Sequence, residues 1–246
     1  MNLELLMLAG LVFLGAGIIK GTVGIGLPTI VISVLSMAID PRLAMALALL
    51  PVLVTNFWQF WRANADKRRV LHYWPFALML VVFNYLLSML SFGVDTKYIL
   101  LALGIVVVVF ALSSLLRQPP PLPDHWDRPT QFIAGGLAGI MGGLTTIWSP
   151  PMVIYLIAKR LDKEEFVMVT GAVLTVGSLP LLLSYTQSGV LATDMLLQAS
   201  LMTVPTLVGM RIGEAIRSRV NRELFVKMLL IVFLLLGLNL IRRAVF

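Results

Sequence analysis

Lys20 is the only ionisable residue of this chain that falls within an apolar run away from any loop. A charge placed in hydrocarbon is costly and marks a functional site by default. An ammonium there would attract an anion. The hydroxyls of Thr22, Thr145, Thr146 and Ser149 and the indole N–H of Trp148 could supply donors to the same ligand. These residues flank two glycine- and proline-rich interruptions. Thr22–Pro28 contains Gly24, Gly26 and Pro28, and Leu144–Pro151 contains Pro150. Glycine lets backbone approach a ligand closely, and proline releases carbonyls from helical pairing. A helix that starts at such a break presents free N–H groups and the positive end of its dipole. Asn56 and Thr55 match Ser178 and Gly177 at a separation of 122, which would place small polar groups at equal depth on two walls of a cavity. Asn84 and Gln198 are weaker candidates of the same kind. The alternative is structural: glycines that only allow helices to pack, hydroxyls bonded back to their own helices, and a Lys20 that extends to an interface. Arg211 and Glu214, three apart, read as a surface pair.

Other chemistries lack their residues. Cysteine is absent, and the two histidines, His72 and His125, lie in polar connections. Disulfides, thiolate sites and a histidine metal cluster are therefore excluded. The chain has no phosphate-cradling Gly-x4-Gly-Lys-Ser/Thr, no Gly-x-Ser-x-Gly elbow, no His-Glu-x-x-His and no paired acids within an apolar run. The expectation is a protein that is not an enzyme and carries no cofactor or metal. The net charge of +7 comes from basic residues in short connections, which points to membrane topology and not to nucleic acid.

The elements that must hold these side chains are membrane helices. Hydrophobic residues make up 59% of the 246 positions and charged residues 13%, about half the charge of a soluble domain. Six apolar runs have the length of ordinary spans: 43–61, 74–92, 97–116, 165–186, 194–213 and 224–241. Residues 5–37 are too long for one span, at roughly 50 Å as a straight helix, and too short for two spans and a turn. Residues 131–158 have the same difficulty. Each is expected to be two short helices meeting at the glycine–proline break, as a broken or re-entrant hairpin. The first run follows Met1–Glu4 without a basic residue or a cleavage site, so it is expected to be retained.

The proline-rich stretch 117–130 reads as a semi-rigid linker between halves 1–116 and 131–246. The halves share a pattern. Gly17, Gly21 and Gly24 match Gly135, Gly139 and Gly142 at an offset of 118, whereas Pro28 matches Pro150 and Asp40 matches Asp162 at 122. The difference predicts a four-residue insertion near Leu144–Trp148. Connections 62–73, 117–130, 159–165 and 211–227 hold 14 of the 19 lysines and arginines and should face the cytoplasm. One hairpin followed by three crossings then inverts the second half relative to the first. The expected fold is an all-α integral membrane protein of two inverted-topology repeats, with both termini outside.

The segments Gly15-Ala-Gly-Ile-Ile-Lys-Gly-Thr-Val-Gly-Ile-Gly-Leu-Pro28 and Gly135-Gly-Leu-Ala-Gly-Ile-Met-Gly-Gly-Leu144 resemble the duplicated glycine-rich motifs of the sulfite exporter TauE/SafE family. The resemblance extends over nearly the whole chain. It departs where the family pattern often has three glycines before the proline: this chain has Gly24-Ile-Gly26-Leu before Pro28, and Leu-Thr-Thr-Ile-Trp-Ser before Pro150. The resemblance implies transport of a small sulfur-containing anion, sulfite or an organosulfonate, across an inner membrane, coupled to a proton or sodium ion. Its implied partners are that anion and membrane lipid. An anion channel and a non-transporting membrane scaffold or assembly factor are the alternative functions.

Overall fold

The structure is a computed structural model that describes residues 3–63, 65–116, 120–217 and 222–245. It contains ten α-helices among the described residues: α1 (Leu3–Val23), α2 (Leu27–Leu35), α3 (Pro41–Arg62), α4 (Trp74–Ser91), α5 (Thr96–Leu116), α6 (Asp127–Thr145), α7 (Ser149–Ala158), α8 (Lys163–Gln187), α9 (Thr193–Arg217) and α10 (Arg222–Val245). Short 3-10 helices, Lys67–Tyr73 and Asp124–Trp126, precede α4 and α6. Five of the six expected spans coincide with α3, α4, α5, α8 and α9 to within a few residues. The sixth falls on α10, whose described apolar stretch is the shorter Phe233–Arg242. Among the described residues, six helices are long and apolar enough to cross a membrane, α1 included. The start of the linker, 117–119, and the connection 218–221 lie outside the described residues. The end of the predicted linker is already helical, because α6 starts at Asp127.

The expectation of two short helices per hairpin holds only for the returning arms. Both breaks are present, at 24–26 and 146–148. However, α1 has 21 residues and α6 has 19, against 9 for α2 and 10 for α7. Each hairpin is thus a crossing-length arm of about 30 Å followed by a half-length return. The second hairpin closes on itself where it began. The Leu122 N–H donates to the Ala158 carbonyl (2.9 Å), and Tyr155 at the end of α7 donates to Asp127 at the start of α6 (2.6 Å).

Contacts at the helix ends sort the connections onto two sides. Arg62 pairs with Glu214 (3.7 Å), Arg69 with Glu165 (2.9 Å), and His72 with Asp127 (2.7 Å), which gathers the basic connections at one end. At the other end Arg42 donates to the carbonyls of Ser91 and Val94, and Tyr85 donates to Gln187 (3.0 Å). Two aspartates start the helices that follow the hairpins, as their repeated position implied. Asp40 accepts from the Arg42 N–H and Asp162 from the Glu165 N–H, both at 2.8 Å, satisfying donors that have no helical partner. Leu11, Leu86, Val109, Leu197 and Val204 stay exposed around the bundle, as lipid-facing residues do, and Trp61, Trp74 and Trp126 are exposed near its basic end.

Glycines set the closest helix contacts. Any Cβ at Gly17 or Gly21 would overlap the carbonyls of Thr206 or Met210, and one at Gly209 or Gly213 would overlap those of Leu14 or Ile18. So α1 and α9 run parallel with backbones in contact, a small-xxx-small seam on both partners. In the other half Gly135, Gly139 and Gly143 meet Phe76, Leu80 and Asn84 of α4, again in parallel. The first element of each half therefore packs on the fourth element of the other. Likewise α3 packs on α8 and α5 on α10, like element on like.

The break itself corrects the repeat register. Each break spans three residues and lies 122 apart, with no insertion. Gly24 (φ 93°) and Thr146 (φ 57°) both take the left-handed conformation, and each N–H reaches back 2.6 Å, to the carbonyls of Lys20 and Gly142. Gly17 and Gly21 thus correspond to Gly139 and Gly143. A ladder of glycines four apart matches itself one turn out of register, which is the source of the 118 offset.

Candidate functional site

The two breaks face one small pocket in the interior, lined by Lys20, Ile25, Gly26 and Pro28 from the first hairpin and Trp148 and Ser149 from the second. Val52 and Asn56 of α3 and Leu174 of α8 complete it. The half-helices begin there and leave in opposite directions, α2 toward the connection before Asp40 and α7 toward the basic end. Two helix N-termini therefore point at the same space. Prolines limit what they offer. Pro28 stands in the first turn of α2, and Pro150 and Pro151 follow Ser149 in α7. Proline suits those positions because the first helical N–H groups have no partner anyway, but it also removes them as ligand donors. Of the first three residues of α7, only Ser149 keeps an N–H. The breaks are poorer in backbone donors than glycine content alone suggests, which gives side-chain donors more weight.

Lys20 is 2% exposed, and its ammonium donates to Asn56 Oδ1. It does not reach an interface. Among the described residues no acidic side chain lines the pocket or pairs with Lys20. Asn56 is equally buried, and its Nδ2 has no hydrogen-bond partner among the described residues. The pocket thus holds a cation without a counter-charge and an amide donor without an acceptor.

The second half has no lysine at the matching place. Gly142 occupies it, and the Trp148 side chain packs against that glycine together with Asn84 Oδ1. Gly26 matches Trp148 in the same way. Bulk therefore fills one side of the pocket where charge occupies the other.

Several predicted residues lie near the pocket without lining it. The Thr22 hydroxyl is shared between the carbonyls of Ile18 (2.8 Å) and Gly213 (3.2 Å) and joins α1 to α9. Thr145 donates to the Met141 carbonyl (2.7 Å) and accepts from the Ile147 N–H (3.2 Å), shaping the turn. Thr146 donates to the Thr145 carbonyl and Ser178 to the Leu174 carbonyl, both at 2.7 Å. Gly24 forms the turn and faces Gln59 and Val167. Pro150 is buried in the first turn of α7. Asn84 donates to the Gly177 carbonyl (2.9 Å) and ties α4 to α8, while Gln198 lies away from the pocket. Arg211 and Glu214 do pair, at 3.6 Å.

Two polar groupings were not singled out from the sequence. Gln59, one turn after Asn56, donates to the Val167 carbonyl (3.1 Å) and to Thr170 Oγ1 (3.0 Å). Its spacing from Asn56 was the available signal. At the basic end, Asp127 accepts from Tyr155 and His72 and lies 3.3 Å from Lys159, which also approaches Asp124 (3.5 Å). His72, Asp127 and Tyr155 are far apart in sequence, and the packing of α6 on α4 together with the closing of the second hairpin brings them together.

No curated protein and no solved structure gives a significant match to this chain. The sequence pattern of one family, described as sulfite exporter TauE/SafE, matches residues 8–240, almost the entire length. With the duplicated glycine breaks and the membrane helices around them, the match establishes that the chain is a multi-pass membrane protein belonging to the sulfite exporter TauE/SafE family.

Proposed function

We propose that the protein is a secondary transporter that carries a small sulfur-containing anion, sulfite or an organosulfonate, across the inner membrane by alternating access. The observation that carries this reading is the buried Lys20 ammonium, without a counter-charge, in a pocket where both broken hairpins meet. A buried charge needs a partner, and an anion entering the pocket would supply one. Asn56 Nδ2, Ser149 and the starts of α2 and α7 offer the remaining donors, and Trp148 bounds the ligand's size. An anion leaving water must replace its hydration shell with such fixed donors.

The helix pairing supports inverted repeats. An axis in the membrane plane that exchanges the halves would interchange the α1–α9 and α6–α4 contacts and map α3–α8 and α5–α10 onto themselves. Sites at the interface of such repeats can be opened to either side by rocking one half against the other. The basic connections at one end make that end cytoplasmic. Lys20, Asn56 and Trp148 are each 2% exposed or less, so the polar groups of the pocket are shielded from water, as a carrier's binding site is. The chain has no motif for ATP use, and the family resemblance implies coupling to a proton or sodium gradient.

Purified protein in proteoliposomes, offered sulfite, sulfoacetate, taurine and sulfate with and without a proton gradient, tests this function. Saturable uptake of at least one sulfur anion is expected. Flux that never saturates would identify a channel, and no flux under any gradient would favour a scaffold.

A further inference from the structure

Gln59 is 4% exposed and sits on α3 one turn beyond Asn56, toward the basic end. Side chains three apart on a helix are neighbours. Its amide orientation is fixed, because the Val167 carbonyl can only accept and so must face the NH2 group. The other end of the amide, Oε1, is then a buried acceptor without a partner among the described residues. Buried polar groups are nearly always paired, so each exception calls for an explanation. Gly24, whose N–H closes the turn onto the Lys20 carbonyl, lies against this same amide. The turn that follows Lys20 therefore runs beside the Gln59 amide, on its Nε2 side, and Lys20 stands one helical turn before Gly24.

We propose that Gln59 Oε1 is a second resting place for the Lys20 ammonium, and that Lys20 passes from Asn56 to Gln59 as the anion moves from the pocket toward the cytoplasm. The proposal rests on the reading of Lys20 as the anion's partner. Three residues of helix advance about 4.5 Å along the axis, a distance that torsions of a lysine stem can cover. With the ammonium on Asn56 the charge lies in the pocket. With the ammonium on Gln59 it lies one turn nearer the basic end, and the anion follows it. Amide oxygens suit both stations because they accept from an ammonium without neutralising it. A carboxylate at either place would form an ion pair and hold the lysine still. Gln59 is thus a positioning residue for transport, acting through Lys20.

Sulfite is the probe, or sulfoacetate if the wild type does not carry sulfite. Equilibrium binding to purified protein and initial uptake into proteoliposomes are measured for wild type, Lys20→Met, Gln59→Leu, Gln59→Glu and Thr170→Val. Gln59→Leu is expected to leave the binding constant within about twofold and slow uptake tenfold or more. Gln59→Glu, by capturing Lys20, should weaken binding and uptake together. Thr170→Val removes one anchor of the amide but keeps Oε1, and should transport within about twofold of wild type. Wild-type uptake by Gln59→Leu, or a loss in Thr170→Val equal to that in Gln59→Leu, would overturn the proposal. If Gln59→Leu does not purify as folded protein, Gln59→Glu decides, and wild-type uptake by it would overturn the proposal equally. Lys20→Met distinguishes the two levels. Unchanged transport by that variant removes the underlying reading, and this proposal with it. Loss in Lys20→Met beside normal uptake in Gln59→Leu removes only the passage to Gln59.

Discussion

Lys20 carries the functional argument at the scale of single residues. A hydrogen bond to a charged group contributes on the order of 1.5–3 kcal/mol net, and 1.4 kcal/mol is a factor of ten in affinity. Lys20→Met, similar in volume, should therefore raise the half-saturation of uptake roughly tenfold or more while leaving expression intact. Thr145→Val should behave differently, because the Thr145 hydroxyl already accepts from the Ile147 N–H within the turn. Its expected signature is a lower unfolding temperature in detergent. Gly24 is a conformational requirement, since its φ of 93° is unfavourable for any side chain. Gly24→Ala should cost about 1–2 kcal/mol, read as a lower unfolding temperature than Gly10→Ala, where a Cβ meets open space. Lys20 was legible in the sequence because a charge in an apolar run has few explanations. The hydroxyls of Thr22, Thr145 and Ser178 were not, because a serine or threonine that serves a ligand and one that bonds back four residues look identical in sequence.

The hairpins and the seams that hold them belong to the scale of elements. The parallel α1–α9 contact depends on Gly17, Gly21, Gly209 and Gly213 having no side chains, so Gly213→Val should force the helices apart. Overpacking of this kind costs roughly 1–3 kcal/mol or more. A large loss of folded protein is expected by size-exclusion chromatography in detergent, with Gly15→Ala, in open space, as the unaffected control. The second hairpin is closed by Asp127. Tyr155→Phe removes a 2.6 Å donor from that buried carboxylate and should destabilise by about 1–3 kcal/mol, measured as a fall in unfolding temperature. Both breaks could be located because glycine, proline or both cluster there, whereas the single prolines Pro51, Pro180 and Pro205 stay inside continuous helices. The unequal arms could not, because the length of the first arm is set by its seam with a helix distant in sequence.

Orientation in the membrane belongs to the scale of the whole molecule. The connections 93–96 and 187–193 lie at one end and 62–73 and 159–165 at the other, which carries the excess of lysine and arginine. A cysteine placed at Ser188 in this cysteine-free chain should react with an impermeant thiol reagent in intact cells, whereas one at Asp162 should not. The reverse pattern would invert the assigned topology and with it the direction from Asn56 to Gln59.

The sequence by itself determined that the chain lives in a membrane, where its helices start and break, and which family it joins. These follow from local physics: apolar length, capping aspartates, glycine and proline, and the distribution of positive charge. Tertiary structure decided the rest. It separated the packing glycines Gly17 and Gly21 from the turn glycines Gly24 and Gly26, placed Lys20 on Asn56 and not at an interface, and set Trp148 into the space beside Gly142. It also showed that α2 and α7 start at one pocket from opposite sides. Most of these outcomes depend on which helix lies opposite, as with Lys20 and Asn56, 36 residues apart, and a pattern of residue types holds no record of that partner.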